Sequence, residues 1–455
     1  MNSCSSLPAE NLELPLAFRS PARPKARLAD ELAAFHEFGQ PTRVLKTQFP
    51  CASAGGAQTL VRSNNQTDTG LPPAPPGAMR EVPTFVNEFW TARQRQASSL
   101  HEVSYRACFK PQLPRFFIER LTEPGESVYD PFMGRGTTPL EAALLGRVPV
   151  GNDVNPLSVV LTRPRLNPPS LDAVAARLQQ ITLARPADTP ADLLVFFHPD
   201  TLRAISSLKR YLLERAAGGA LDTTDEWIAL VSLNRLTGHS PGFFSVYTLP
   251  PNQAVSARSQ AKINAKRKQT PPPRDVVKLI LKKTRQLLAD VNASTRQTLA
   301  RSAAHALLIT APAHATPQIP SASVALVVTS PPFLNVVQYA IDNWLRCWFV
   351  GVDAEAVQLT TPTRVDTWQA EMTRVFAELY RVLKPGGHIA FEVGEVHAGA
   401  TRLEEAVLPC ATAVGLEPLL VMINDQKFTK TANCWGVDNM ARGTNTNRIV
   451  VLRKS

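Results

Sequence analysis

The sequence predicts an α/β fold, built on a mainly parallel sheet with helices on both faces. From residue 127 onward, short apolar runs alternate with segments that have helical periodicity. A glycine-punctuated turn over residues 130–138 joins the first of these runs to the helix that follows it. Later, an amphipathic helical segment stops at the sequence Lys-Pro-Gly-Gly at 384–387, and a new apolar run begins there. Strands that alternate with helices in this way usually pair in parallel.

The composition of the 455-residue chain is that of an ordinary globular protein with a basic surplus. Its hydrophobic fraction is 44%, and no apolar stretch is long enough to cross a bilayer. The first residues lack the basic and apolar regions of a signal peptide, so we expect a cytoplasmic protein without membrane contact. Six cysteines are scattered without metal-ligand or disulfide spacing, so we expect reduced thiols and no metal site. Lys and Arg number 49 against 38 Asp and Glu, and the net charge of +11 favours a polyanionic partner.

Residues 1–80 are rich in Pro, Ala, Ser, Gly and Asn. We expect this segment to be largely disordered, because it cannot bury enough apolar surface to offset its ordering entropy. Only residues 28–38 hint at a helix there. Ordered structure is expected from about Val82, followed by the bulky anchors Phe89 and Trp90. The rest of the chain divides into a first part of the α/β domain at 81–170, a basic helical insertion at 171–303 and a second part at 304–455.

The elements of the α/β domain follow from apolar runs and helix boundaries. Strands are expected at 127–129, 148–150, 306–309, 324–328, 388–393, 419–423 and 449–452. Helices are expected at 115–121, at 140–145 with Pro139 in the first turn, and along the apolar face between 368 and 383.

Most of the net positive charge lies between the second and third of these strands. Residues 196–300 hold 16 Lys and Arg against seven Asp and Glu, and residues 258–285 hold ten basic side chains and one acid. Basic residues spaced by four share one face of a helix, and two such helices flank the prolines at 271–273. A solvated helix face is the ordinary explanation, but the tandem arrangement favours contacts with phosphate groups. The candidate residues are Arg258, Lys262, Lys266, Arg267, Lys268, Arg274, Lys278 and Lys282.

The turn at 130–138 reads Asp-Pro-Phe-Met-Gly-Arg-Gly-Thr-Thr and lies after a strand, where ligands bind in open α/β sheets. Gly134 and Gly136 would let a ligand approach the backbone. The turn is not a phosphate-binding P-loop, since no Gly-Lys-Ser/Thr follows, and its glycine spacing does not match the dinucleotide fingerprint. Asp153, at the end of the next strand, can accept hydrogen bonds from ribose hydroxyls. A helix N-cap is its alternative role, because Pro156 follows closely.

A second specialised loop has the sequence Thr-Ser-Pro-Pro-Phe at residues 329–333, directly after an apolar run. The first proline restricts Ser330 to an extended conformation, and neither proline can donate an N–H group. The loop therefore presents a hydroxyl, carbonyl oxygens and an aromatic ring at the carboxyl end of a strand. These oxygens can accept the two hydrogens of an exocyclic amine, and the ring can stack on a flat base. A strand that ends in a Pro-Pro turn is the simpler interpretation.

Together, these motifs resemble those of the DNA amino-methyltransferases, which use S-adenosyl-L-methionine (AdoMet). The unit Asp-Pro-Phe-x-Gly-x-Gly-Thr resembles the AdoMet-binding motif of the family, and the loop at 329–333 resembles its catalytic motif. Leu-Lys-Pro-Gly-Gly at 383–387 is common among AdoMet-dependent methyltransferases, and the resemblance spans residues 82–455. It implies an α/β AdoMet-dependent methyltransferase fold, with a Rossmann-like, mostly parallel sheet and a largely helical basic insertion.

The resemblance also implies a role for each motif residue. Asp130 would contact the methionine end of AdoMet, and Lys110-Pro111 is similar to a motif that closes the pocket, with an interdomain turn as the alternative. The implied cofactor-binding residues are Lys110, Asp130, Phe132, Gly134, Gly136, Thr137 and Asp153. The implied catalytic residues are Ser330, Pro331, Pro332 and Phe333. Tyr339 and Asp342 are candidates for the base pocket, with ordinary packing as the alternative.

Ser330 before the two prolines resembles the cytosine-N4 branch of the family. The implied function is site-specific methylation of N4 of a cytosine that is flipped out of double-stranded DNA. A restriction endonuclease of the same restriction-modification system is a further candidate partner. The alternatives are adenine-N6 methylation, RNA amine methylation, and a catalytically degenerate DNA-binding protein. Methylation at C5 of cytosine would need a nucleophilic cysteine, and Cys410 lies outside any suitable loop.

Two features depart from the pattern of the family. The family usually places an acidic residue after the third strand, where it can hold the adenine of AdoMet, but this chain has Thr-Ala-Pro-Ala at 310–313. The basic insertion also separates the Asp153 strand from the third strand. The order of motifs is closest to the α-type arrangement without matching it fully, so the segment that reads the DNA sequence is left open.

Overall fold

The structure is a computed structural model, and it describes residues 28–52, 79–90, 97–105, 108–184, 189–248, 254–332, 339–357, 362, 364–396, 401–425 and 446–455. Its helices are α1 (Leu28–Ala34), α2 (Gln112–Leu121), α3 (Thr137–Leu144), α4 (Leu157–Leu166), α5 (Leu171–Gln180), α6 (Pro199–Ala217), α7 (Thr223–Leu233), α8 (Ala257–Arg267), α9 (Val276–Leu287), α10 (Ala293–Ala303), α11 (Tyr339–Val350), α12 (Val365–Val382) and α13 (Leu403–Ala413). Its strands are β1 (Arg43–Pro50), β2 (Met79–Asn87), β3 (Ser127–Asp130), β4 (Val148–Asp153), β5 (Leu307–Thr310), β6 (Val324–Thr329), β7 (Leu383–Val393), β8 (Glu395–Val396), β9 (Thr401–Arg402), β10 (Glu417–Asp425) and β11 (Thr446–Arg453).

The main sheet has nine strands, in the order β1-β2-β10-β11-β7-β6-β3-β4-β5. The strands from β7 to β5 in this order run parallel to one another, and β2 runs parallel to β10. Strand β11 is antiparallel to both of its neighbours, and β1 is an antiparallel edge strand. Within the described part of the chain, β8 pairs with β9 alone. This mixed but mainly parallel sheet confirms the predicted α/β class.

Side chains of the sheet alternate between two buried layers, as the two-residue period of a strand requires. On β11, Val450 and Leu452 pack in a cluster with α12 and α13, whereas Ile449 and Val451 pack in a cluster with α1 and α2. The amphipathic segment predicted from its apolar spacing is α12, and it ends at Val382, just before the Lys-Pro-Gly-Gly sequence. Helices therefore cover both faces of the sheet, as predicted.

The segment between β4 and β5 is helical and contains α4 to α10. Its apolar side chains belong to one buried cluster that also includes Leu140 of α3, so the insertion packs onto the α/β core. Trp227 of α7 donates its indole N–H to Thr284 Oγ1 of α9 at 3.1 Å, and this bond holds the second basic helix in place. None of the helices in the described ranges is both long and apolar enough to cross a membrane.

Residues 28–52 do not fit the prediction of a largely disordered N-terminal segment. Helix α1 lies within the predicted region 28–38, and Leu32 and Phe49 are buried. Strand β1 pairs with β2 from Arg43 opposite Val86 to Pro50 opposite Met79. The edge of the sheet supplies the hydrogen bonds that this stretch lacks by itself, and composition alone cannot show such a distant partner. The prediction for residues 1–27 and 53–78 falls outside the described part of the chain.

Strand β3 is the point at which the strand order reverses. The chain continues from β3 to β4 on one side, but β6 lies on the other side, with Val128 opposite Leu326 and Tyr129 opposite Val327. In open α/β sheets, ligands bind in the crevice at the carboxyl ends of the strands beside such a reversal. The glycine turn and the loop at 329–333 both begin at this crevice.

Candidate active site

A cavity of about 670 Å³ opens at the carboxyl ends of β3, β4 and β6. Of the residues predicted for the site, those that line the cavity are Phe132, Gly134, Thr137, Asp153, Ser330 and Pro332. Asp130, Gly136, Lys110 and Pro331 do not line it. Phe333 lies outside the described residues. The structure therefore brings the two predicted loops to one shared space.

Asp130 joins the two loops from beneath the cavity. The carboxylate is buried, and its Oδ1 accepts hydrogen bonds from Phe132 N at 3.1 Å and from Thr329 Oγ1 at 2.6 Å. Its Oδ2 makes no hydrogen bond to any described residue. Burial raises the pKa of Asp130 to about 7, and the negative charge of Asp153 raises it further. Asp130 thus fixes the start of one loop against the end of the strand that leads into the other.

Asp153 holds the glycine turn and still faces the cavity. Its Oδ2 accepts a hydrogen bond from Gly134 N, and its Oδ1 accepts one from Asn155 N, both at 2.9 Å. Burial raises the pKa of this carboxyl group above its ordinary value. The N-cap of α4 is Pro156, so the alternative role of Asp153 as a helix N-cap is wrong. Each carboxylate oxygen has a second lone pair, so Asp153 remains able to accept hydrogen bonds from a ligand.

The two glycines of the turn serve different purposes in the structure. Gly134 lies on the cavity wall with a φ of +50°. Gly136 has a φ of +75°, and a Cβ atom added to it would lie 2.1 Å from Thr162 Oγ1 on α4. Gly136 therefore permits the close approach of α4 to the turn, which is a packing role. Its predicted contact with a cofactor stays a prediction.

The Lys110-Pro111 motif lies beside the cavity rather than on its wall. Pro111 is the N-cap of α2, and burial lowers the pKa of Lys110. The adjacent residues Cys108 and Phe109 do line the cavity. Contact between Lys110 and a cofactor remains a prediction.

Ser330 is tied to a buried carboxylate that the sequence did not single out. The Ser330 hydroxyl makes a side-chain hydrogen bond to Glu392 on β7, which also accepts a bond from Asn447 Nδ2 at 2.9 Å. Glu392 is 5% exposed, and its burial raises its pKa. The pairing of Thr329 with Phe391 across β6 and β7 places these two side chains together. A lone Glu within an apolar strand was the signal that could have identified it.

The backbone of the same loop is held by a tryptophan. Trp368 of α12 is fully buried and donates its indole N–H to the Pro332 carbonyl oxygen at 3.0 Å. Sequence reasoning assigned Trp368 only to an apolar helix face, because helical spacing does not reveal hydrogen bonds. The indole N–H therefore fixes the direction of the Pro332 carbonyl group, in a loop whose two prolines have no N–H group to donate.

The remaining candidates for a base pocket are partly outside the described residues. The side chain of Tyr339 lies outside the part of the chain that the structure describes. Asp342 is buried but does not line the cavity, and the neighbouring Trp344 packs into the insertion, donating to Ala254 O at 3.1 Å. Cys410 is buried within α13, and burial raises the pKa of its thiol to about 11. A thiol in such an environment is a poor nucleophile, which agrees with the argument against C5 chemistry.

The predicted phosphate-binding residues lie on the surface of α8 and α9 and in the segment between them. Seven of the eight are exposed, and Arg274 is half-buried. Within the described ranges, none of the eight forms a salt bridge with an acidic side chain. Helix α8 is anchored through Gln260, whose Nε2 donates to Tyr247 O at 3.1 Å, and Arg267 stacks 3.8 Å above the ring of Tyr247. Helix α8 is thus held in place while its basic side chains stay exposed, without an acidic partner among the described residues.

Among the described residues, no three His, Cys, Asp or Glu side chains come together as a metal-binding group. The prediction of a site without metal stays a prediction.

The sheet order, the glycine turn and the shared cavity define the class of this protein as a Rossmann-like methyltransferase fold. Residues 58–159 match a family model described as DNA methylase (N6_N4_Mtase). Over these residues the chain is therefore similar to the DNA amino-methyltransferases, the family that its motifs resemble.

Known proteins similar to this chain are distant relatives. The type II methyltransferase M.BsoBI of Geobacillus stearothermophilus is 23% identical over 315 residues, which cover 62% of this chain and 58% of that protein. The type II methyltransferase M.MjaII of Methanocaldococcus jannaschii is 31% identical over 74 residues, which cover 16% of this chain and 14% of that protein. The chain thus spans less than two thirds of either relative. The crystal structure of TrmN from Thermus thermophilus aligns with a TM-score of 0.32 and 12% identity, covering 78% of this chain and 52% of that one.

Proposed function

We propose that this chain is an AdoMet-dependent DNA methyltransferase that modifies the exocyclic N4 of cytosine in double-stranded DNA. The observation that carries the proposal is the single cavity shared by the glycine turn, Asp153 and Ser330. A methyl donor held at the turn and an amine held at Ser330 would face each other across this space. Positioning of two reactants is the largest part of what such a site has to supply.

The lining of the cavity fits AdoMet. The cofactor carries hydroxyl and amine donors and a positive charge, and the cavity offers the carboxylates of Asp153 and Glu371. Asp130 lies beneath the turn and does not line the cavity, so its contact with AdoMet stays a prediction. Phe132 and Met133 add apolar wall for the rest of the molecule. When bound, AdoMet supplies an electrophilic methyl group on its sulfonium sulfur.

Ser330 and the prolines would orient the target amine. Because the Ser330 hydroxyl hydrogen is directed to Glu392, the oxygen lone pairs are free to accept an N4–H bond. Trp368 donates to the Pro332 carbonyl, and the Pro331 carbonyl is the second acceptor that we propose for the amine. Extruding the base costs a few kcal/mol, and stacking on Phe333 would recover roughly 1–3 kcal/mol.

Glu392 is placed to hold the proton that the amine loses. The amine gains a methyl group and must release one N–H proton, which can pass to Ser330 Oγ while the Ser330 hydroxyl proton passes to Glu392. Burial raises the pKa of Glu392, so the ionised carboxylate binds a proton more readily than a solvated one. The amine thus ends neutral and methylated, and Glu392 ends protonated.

The basic face of α8 and α9 would contact the DNA backbone. Phosphate contacts of Lys and Arg provide affinity without reading the sequence. A restriction endonuclease that cuts the same site remains the predicted partner in a restriction-modification system.

The test is mass spectrometry of nucleosides from plasmid DNA after expression of the protein in a host without its own amino-methylation. We expect N4-methylcytosine, and we expect none from the matched Ser330→Ala variant, which should still bind AdoMet. N6-methyladenine in its place would move the target to adenine, the other amine that this family methylates. Neither product, from a folded protein that binds AdoMet and DNA, would refute the proposal and favour a degenerate DNA-binding protein.

A further inference from the structure

Helix α12 presents one polar side chain in an otherwise apolar wall of the cavity. The four α12 residues on this wall are Trp368, Glu371, Met372 and Val375. Their spacing places them on a single stripe of the helix. Glu371 is 21% exposed, so its carboxylate is largely withdrawn from solvent. A lone carboxylate in an apolar wall is suited to a ligand that presents a hydrogen-bond donor at that position.

The loop that follows β5 forms the part of the wall beside this stripe. Pro312, Ala313 and His314 of this loop line the same cavity. Further along the loop, Thr316 donates from its N and Oγ1 to Glu378 Oε1, at 2.8 Å and 2.6 Å. Glu371 lies seven residues before Glu378, which is two helical turns, so both carboxylates lie on the face of α12 that meets this loop.

The sheet order indicates which part of AdoMet would lie beside α12 and the β5 loop. The methionine end is predicted at β3 and the ribose at Asp153 on β4, so the adenine would extend toward β5, the next strand in the sheet. The loop after β5 has no acidic residue near its start. We propose that Glu371 accepts a hydrogen bond from the exocyclic amine of the AdoMet adenine, supplying from α12 the contact that the β5 loop lacks. This inference rests on the proposed cofactor.

His314 complements this contact. A ring nitrogen that accepts a hydrogen bond lies beside the amine of adenine, and a neutral imidazole has one N–H to donate. Burial and the charge of Arg374 lower the pKa of His314 and outweigh the opposing charges of Glu371 and Glu378, which favours the neutral ring. An acceptor on α12 and a donor on the neighbouring β5 loop match the donor and acceptor on that edge of adenine.

The competing explanation is a local ion pair. Arg374, one turn further along α12, donates to Glu371 Oε1, and its own side chain is 46% exposed. Surface pairs of this kind contribute little to stability. Arg374→Ala removes the ion pair and keeps the carboxylate, which makes it the matched control.

The test measures binding by isothermal titration calorimetry, without catalysis. The ligands are S-adenosylhomocysteine and S-inosylhomocysteine, in which an oxygen replaces the amine. Hydrogen bonds to charged groups are strong enough that the wild type should prefer the adenosyl ligand about 10-fold or more. Glu371→Leu should remove most of the preference, Glu371→Gln should reduce it less, and Arg374→Ala should retain it. A small preference remains in Glu371→Leu because N1 of the inosyl ligand carries a hydrogen and cannot accept a bond from His314.

A preference that stays at the wild-type level in both Glu371 variants would overturn the inference, as would an equal loss in Arg374→Ala. Thermal melting of each variant checks that it is folded, and Glu371→Gln, which preserves size, covers the case in which Glu371→Leu is unstable. Wild-type protein that binds neither ligand would instead count against the proposed function. The two failures are therefore distinguishable.

Discussion

The substitution Glu392→Gln tests the link between the buried carboxylate and the Ser330 hydroxyl. Glutamine keeps the size of the side chain and removes its charge. The carboxylate is buried and accepts bonds from Ser330 and Asn447, and hydrogen bonds to charged groups contribute roughly 1.5–3 kcal/mol. If the Glu392 carboxylate orients Ser330 and takes up the proton, its removal should lower kcat about 10- to 100-fold. Glu392 does not line the cavity, so AdoMet affinity should stay within about 2-fold of the wild type.

The pH dependence gives this prediction a second, independent readout. Burial raises the pKa of Glu392 above its ordinary value of 4.5, and the carboxylate works in its ionised form. The kcat of the wild type should therefore rise with pH through this raised pKa, and the Gln variant should lack that acid limb. Stability should change in the opposite sense, because a raised folded-state pKa stabilises the fold only while the group is protonated. The melting temperature of the wild type, relative to the variant, should fall as the pH rises through the same window.

The assay is single-turnover transfer of a labelled methyl group to plasmid DNA at several pH values. Glu404→Gln is the control, since Glu404 is also a buried carboxylate with a raised pKa but pairs with Arg448 instead of Ser330. An unchanged kcat and an unchanged acid limb in Glu392→Gln would refute the reasoning. Equal losses in both variants would show that the effect belongs to buried charge in general.

Three further substitutions test separate parts of the structure. Trp368→Phe removes the N–H that the Pro332 carbonyl accepts, and since one neutral hydrogen bond contributes about 1 kcal/mol, kcat should fall about 5-fold in steady-state assays, with a smaller change in the KM for AdoMet. Gly136→Ala should lower the free energy of unfolding, measured in urea, by about 2 kcal/mol or more because the added Cβ would clash with Thr162. The control is Gly386→Ala, which has the same φ of +75° but no atom closer than 4.0 Å to the added Cβ. Its free energy of unfolding should fall by only about 1 kcal/mol. The double substitution Lys262→Ala and Lys278→Ala should weaken the salt dependence of binding to duplex DNA. The slope of log affinity against log salt should become shallower by about 0.9 for each lost phosphate contact. A slope that stays unchanged, as expected for the control Lys46→Ala on β1, would show that the basic face is not part of the DNA interface.

The central strands of the sheet could be predicted from the sequence because they are largely buried. All six residues of β6 are buried, so the strand appears in the sequence as an uninterrupted apolar run. Strand β1 carries no such signal, since most of its residues are exposed at the edge of the sheet. Strand β1 is held in an ordered conformation by pairing with β2, a long-range contact that local composition cannot encode.

The candidate site was predictable where a residue type has one dominant use. Glycines at a strand-to-helix turn and a Ser-Pro-Pro sequence are such cases, and both reached the cavity. Glu392 and Glu371 were not predicted, because a carboxylate in a strand or on a helix is ordinarily a surface residue. Their roles depend on which element packs beside them, and that is decided by the fold.

The hydrogen bond between Asp130 and Thr329 explains why two loops so far apart in sequence can act as one site. The two residues are separated by 199 positions, yet their side chains meet at 2.6 Å because β3 and β6 are neighbours at the reversal of the strand order. Thr329 directly precedes Ser330, and Asp130 directly precedes the turn that lines the cavity, so one buried bond fixes the spacing of both loops. Aligned reactants avoid a large entropic barrier only if the two loops that bind them do not move relative to each other. A carboxylate in this position therefore serves the geometry of the reaction even where it does not touch the ligand.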